Sequence, residues 1–198
     1  MPAFFSPRMI GALAGAAMLS GCVSLGAEPP ASLLNLTATD KAPVGTQRSG
    51  VRGKALAVMI PSVPAKIDVI RVPVQVSETE IAYIKDAVWV EKPARLFQRL
   101  MAETLRARSQ RLIVEADVSA GGGPRLQGTL REFGYDAMSG SVVVRFDAER
   151  MNAQGNVETR RFEASEAGVI PKAGNVGAAL NRTANDVAGQ VADWVLAV

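Results

Sequence analysis

This 198-residue chain contains no histidine and a single cysteine. Without histidine, the commonest general base and the commonest metal ligand are both missing, so serine- and zinc-based chemistry of the usual kind is excluded. A lone cysteine leaves no partner for an internal disulfide. Aromatic residues make up only 5% of the chain, so its core must rest on Val, Leu, Ile and Ala. Neither sign of charge prevails: 22 basic against 19 acidic residues give a net +3, too balanced to argue for nucleic acid as a partner. The apolar run Met9–Leu19 is about half the length of a membrane-crossing helix.

What is present is a globular composition, 48% hydrophobic and 21% charged, long enough for one domain with a real core. The N-terminus carries Arg8, then the apolar run, then Leu19-Ser20-Gly21-Cys22. A basic start, a short apolar stretch and small residues are the parts of a secretory signal. Leu19, Ser20, Gly21 and Cys22 resemble the bacterial lipobox, in which the cysteine is acylated and becomes the new N-terminus. The only cysteine of the chain falls at the one position such a signal requires. Acylation matters because each buried CH₂ contributes about 0.8 kcal/mol, so two or three chains hold where one does not. Val23 in place of Asp favours, by resemblance to Gram-negative sorting signals, the periplasmic side of the outer membrane. The expected organisation is a signal peptide over 1–21, a lipidated tether over 22–32 and one domain over 33–198. Extended, the ten residues Val23–Ser32 reach about 33–36 Å.

Along the mature chain, Leu33-Leu-Asn-Leu-Thr37 alternates like a first strand, and the basic, Gly-bearing stretch Asp40–Lys54 reads as a loop. Ala55–Ile60, closed by Pro61, predicts a buried strand. Val69–Val72 and Val74–Val76 follow, with Pro73 arguing against a central position. Glu80–Ile84 and Ala87–Val90 predict two small strands around Lys85-Asp86. Pro93 opens a helix whose Leu96, Phe97, Leu100, Met101, Thr104 and Leu105 share one face through Arg108. Leu112–Val114 predicts a strand and Ala120–Pro124 a Gly-rich break. Arg125–Ala137, Ser141–Met151 and Val157–Ala164 predict an antiparallel meander, with Val142, Val144, Phe146 and Ala148 facing inward. A second helix over Asn175–Leu196 carries Val176, Leu180, Val187, Val191 and Trp194 on its apolar stripe. The fold class expected is a single α/β (α+β-like) domain: a mixed, largely antiparallel sheet packed with two main helices.

No catalytic, cofactor or metal set emerges. Glu91 with Glu103, or Asp136 with Asp147, are candidate carboxylate pairs, but 19 acids offer many such pairs and most are solvated. Gly121–Gly123 is no phosphate loop, because Pro124 removes a donor, no lysine follows and a strand comes next. Arg95, Arg99, Arg106 and Arg108 on the first helix pose a choice between anionic headgroups and a solvated face with Arg99 and Glu103 paired at i, i+4. The second is the expectation. Trp89 and Trp194 are expected to anchor the core.

The lipobox, the Leu33–Thr37 opening, and Trp89-x-Glu91-x-Pro93 leading into an amphipathic helix resemble the ABC-type transport auxiliary lipoproteins. So does Leu126-x-Gly128-x-Leu130-x-x-Phe133, and the similarity runs over nearly all of the mature chain. The resemblance implies a three-layer α/β domain and a non-enzymatic periplasmic lipoprotein. Its implied partner is the periplasmic MCE-type protein of an ABC transporter that moves phospholipid or related lipids between membranes, and copies of the chain are expected to assemble into a ring. ATP hydrolysis belongs in that system to another subunit. Asp40–Lys54 matches no family motif. The alternative reading is an envelope-assembly lipoprotein with no part in lipid transport.

Overall fold

The computed structural model describes residues 32–117 and 123–197. The expected signal peptide, with Leu19, Ser20 and Gly21, the expected tether from Cys22 to Ala31, and most of the Ala120–Pro124 break lie outside them. The elements in order are β1 (Leu56–Met59), β2 (Arg71–Gln75), β3 (Ile81–Val88), α1 (Pro93–Arg108), β4 (Ile113–Ala116), β5 (Arg125–Asp136), β6 (Ser141–Met151), β7 (Val157–Ala167) and α2 (Ala173–Leu196). All seven strands join one mixed sheet with β5 as its hub. Along one edge β5 pairs antiparallel with β6, and β6 with β7. Its other edge is shared by two parallel neighbours, β1 at Arg125 and Leu126 and β2 at Tyr135 and Asp136. β4 then flanks β1, and β3 flanks β2.

The meander follows from alternation. Val142, Val144, Phe146 and Ala148 of β6 are all buried, as strand periodicity requires. On β5 the buried residues are Leu126, Leu130, Phe133 and Tyr135. The three-residue step from Leu130 to Phe133 would turn Phe133 outward in a regular strand. A β-bulge removes the conflict: Leu130 pairs with Phe146 and Glu132 with Arg145, so Arg131 is the extra residue.

β3 is one strand where two were expected. Its ladder with β2 nevertheless slips there: Tyr83 pairs with Pro73 and Val88 with Arg71, and Asp86 between them has φ of 60°. Pro73 sits in a strand flanked on both sides, against the sequence expectation. It is tolerated beside this slip, where the regular donor pattern is already broken. Leu33–Thr37 is not a strand. Leu34 makes a single parallel bridge to Trp89, and the residues that follow are held by side chains of α2: Thr37 N donates to Asn181 Oδ1 at 2.7 Å and Thr39 N to Asn185 Oδ1 at 2.7 Å.

Both helices lie on the same face of the sheet. Phe146 and Phe162 are direct cross-strand partners; Phe97 of α1 meets Phe146 at 5.3 Å between ring centroids, and Trp194 of α2 meets Phe162 at 5.5 Å. The mixed sheet with two helices is the class expected, but the described residues make two layers, not three, because no helix covers the opposite face. That face carries a charged lattice instead. Trp89 is 1% exposed and is a core anchor, whereas Trp194 is only partly buried, lying under the Arg150 guanidinium at 4.5 Å.

Candidate functional site

The two sequence motifs meet in the core. Trp89, at the end of β3, donates its backbone N–H to Ile70 O at 2.7 Å and lays its ring 5.4 Å from Phe133. Phe97 completes the cluster, 6.4 Å from Phe133. Pro93 is buried at the first turn of α1, where its missing N–H costs nothing. Glu91 lies outside this cluster and pairs with Arg99 and, at 3.8 Å, with Arg95. Leu126, Leu130 and Phe133 are fully buried along β5. At Gly128 a Cβ would stand 2.1 Å from Asp147 O and 2.8 Å from the Phe146 ring, so only glycine lets β5 and β6 approach there. The two motifs therefore build the junction of sheet and α1 rather than a cleft.

The α1 arginines are all engaged within the chain. Arg99 pairs with Glu91 rather than with Glu103, while Glu103 receives the Ala42 backbone N–H at 2.9 Å and lies 3.7 Å from Arg106. Arg95 reaches Asp117 and Arg106 reaches Glu115. Arg108, expected on a solvated face, instead binds Asp40 at 2.6 Å, Asp193 at 2.8 Å and the Gly189 carbonyl at 3.2 Å. It thus joins α1, α2 and the incoming chain. Together with Arg48, which donates to Arg106 O at 2.7 Å, it gives the unassigned Asp40–Lys54 stretch a place against the C-terminal end of α1. No local pattern marks these pairings.

The uncovered sheet face is built from paired charges. Asp147 on β6 accepts from Arg161 at 2.6 Å and Arg131 at 2.9 Å, and Arg145 pairs with Glu163 across to β7. The Arg161 hydrogen bond, with Arg131 behind it, holds the Asp147 carboxyl down to about 2 despite partial desolvation. Beside this lattice a shallow concavity of about 490 Å³ has Pro73, Gly134 and Val143 among its lining residues, with Lys66, Glu132 and Arg145 bringing charge. Lys66 is itself held by Glu132 at 2.7 Å and Gln75 at 3.1 Å. Asp136 also lies below its usual range, chiefly through its bond from the Ser139 hydroxyl. Neither suggested carboxylate pair forms: each acid has its own donors, and the two that shift do so toward the ionised state, opposite to what a general acid needs. The chemistry this surface supports is recognition by shape and paired charge. Among the described residues no cluster of acids or cysteine suits a metal ion, and no helix is long and apolar enough to cross a membrane.

A small two-layer α/β domain, entered along its last helix by a chain from the N-terminal side, is the class these features define. The sequence matches the ABC-type transport auxiliary lipoprotein component family over residues 35–192, and the chain belongs to that family. It is accordingly an auxiliary lipoprotein component of an ABC-type transport system. No curated protein matches it by sequence. In structure it is similar to a Xanthomonas campestris protein of the DUF330 family, with TM-score 0.68 and 16% identity over 84% of this chain and 95% of that one. An uncharacterised protein aligns with TM-score 0.61 and 16% identity over 75% of this chain and 96% of that one. At these identities the likeness is one of fold.

Proposed function

We propose that this chain is a non-enzymatic docking subunit of an MCE-type ABC transporter that moves phospholipid or a related lipid between the two membranes. The lipid on Cys22 holds it on the periplasmic side of the outer membrane, and the folded domain engages the transporter's periplasmic MCE protein. The observation that carries this reading is family membership across residues 35–192, which spans nearly all of the domain. The uncovered sheet face supports it. Side-by-side charges of both signs on β5, β6 and β7 suit a partner of complementary pattern, giving specificity more than raw affinity. Assembly of several copies into a ring belongs to the same reading, and native mass spectrometry of the detergent-extracted protein tests it.

The direct test is co-purification after gentle solubilisation. The intact lipoprotein is expected to bring down an MCE protein, and Arg145→Glu combined with Arg161→Glu is expected to lose it while circular dichroism stays native. Repeated failure of the wild-type protein to retain an MCE protein, with its acyl groups in place, would overturn the reading.

A further inference from the structure

We propose that the end of the domain formed by three turns, Val76–Glu80, Asp136–Gly140 and Gly168–Lys172, rests directly on the lipid surface that holds the anchor. The proposal relies on acylation of Cys22, as argued above, and adds an orientation to it.

The chain's point of entry comes first. Leu34 packs against Gly177, Thr37 bonds Asn181, Thr39 bonds Asn185, and Asp40 reaches Arg108 beside Asp193. Residues 34–40 thus run along α2 in its own direction, and Ser32 lies at its N-terminal end. That end is shared by the three turns. Gly168 N donates to Gly140 O at 3.1 Å, and Ala137 N donates to Gln75 O at 2.9 Å, which ties the three turns into one edge.

The composition of this edge comes second. Of the large hydrophobic side chains left exposed, Val76, Ile81, Met138 and Ile170 belong to it, with Met138 at 62% and Ile170 at 57% exposure. Val44, Val51 and Val157 lie toward the opposite end, and Ile70 and Val90 on the flank of β3. Aliphatic tips at the ends of tight turns insert shallowly into a lipid interface without unfolding anything. The charges of the three turns are Glu78, Glu80 and Asp136 against Lys172, so attraction to anionic headgroups is not the driving force. The lipid surface recognised is therefore an ordinary zwitterionic one. A tether of ten residues, reaching about 33–36 Å at full stretch, keeps this edge at high effective lipid concentration, so contacts too weak for a free protein suffice.

The test uses the full, acylated chain on vesicles of phosphatidylethanolamine and phosphatidylcholine containing nitroxide-labelled lipid. One variant, Met138→Cys, and a second, Val157→Cys, are labelled with an environment-sensitive fluorophore; β7 separates Val157 from the turns by about 33 Å at the usual strand rise. Quenching several-fold stronger at position 138 than at 157, and unchanged by high salt, is the expected result. Adding Ile170→Asp should abolish the difference while the protein still floats with the vesicles. Equal quenching at the two positions, or quenching that salt removes, overturns the proposal and leaves the anchor standing. A chain that does not float at all overturns the anchor, and this proposal with it.

Discussion

Trp89 lies against Phe133 with its indole N–H buried and without a partner among the described residues. An orphaned donor of this kind costs about 1–3 kcal/mol, yet the ring also fills the junction of β3, β5 and α1. The two contributions separate by substitution. Trp89→Ala is expected to cost about 3–5 kcal/mol by emptying the junction. Trp89→Phe keeps most of the ring, removes the orphan, and should fall within about 1 kcal/mol of wild type in urea denaturation. Gly128→Ala should be far worse than its size implies. Its new methyl meets backbone oxygen at 2.1 Å and can be relieved only by parting β5 from β6, a loss of about 3 kcal/mol in the same assay. Both residues were visible in the sequence as motif members. Trp89 was legible as a core anchor too, but its seat against Phe133 and the close approach at Gly128 were not, because they depend on Phe133 and Asp147 from other strands.

Elements with a clear period were legible. Both helices and all three strands of the meander stand where apolar spacing puts them, since that spacing is set by neighbours along the chain. The strand-like alternation of Leu33–Thr37 misled because any extended segment with one buried flank alternates; here the flank is α2, and Asn181 and Asn185 take the hydrogen bonds a sheet would have supplied. The bulge at Arg131 was readable in principle from the three-residue step between Leu130 and Phe133. Arg108 was not readable, since its partners Asp40 and Asp193 lie 68 and 85 residues away. Replacing it by Gln should cost about 1 kcal/mol, because its side chain is part-exposed and screened. The sharper signature is local: limited proteolysis within residues 41–47 should accelerate, as the clamp over the incoming chain opens.

At the scale of the whole molecule, the lattice on the open face couples stability to acid. Asp147 is held down to about 2 in the fold against an ordinary 3.8; outside the lattice, Asp136 beside the Ser139 hydroxyl and Glu166 beside Arg182 of α2 shift in the same direction. A carboxyl with a lowered folded pKa favours the folded state above its unfolded value and loses that advantage as pH falls through the folded one. The urea midpoint should therefore decline between about pH 4 and pH 2, and Asp147→Asn should flatten part of that decline. A wild-type midpoint that is level across this window would contradict the assignment of Arg161 and Arg131 as partners.

The route of the N-terminal segment along α2 has a mechanical consequence. A tug from the bilayer, directed away from the N-terminal end of that helix, draws the segment lengthwise past Asn181 and Asn185 and loads their bonds together, as in a lap joint. The same tug across the helix would peel them off one at a time. For an auxiliary lipoprotein pulled by its anchor, the grip is thereby firmest along the axis of the pull.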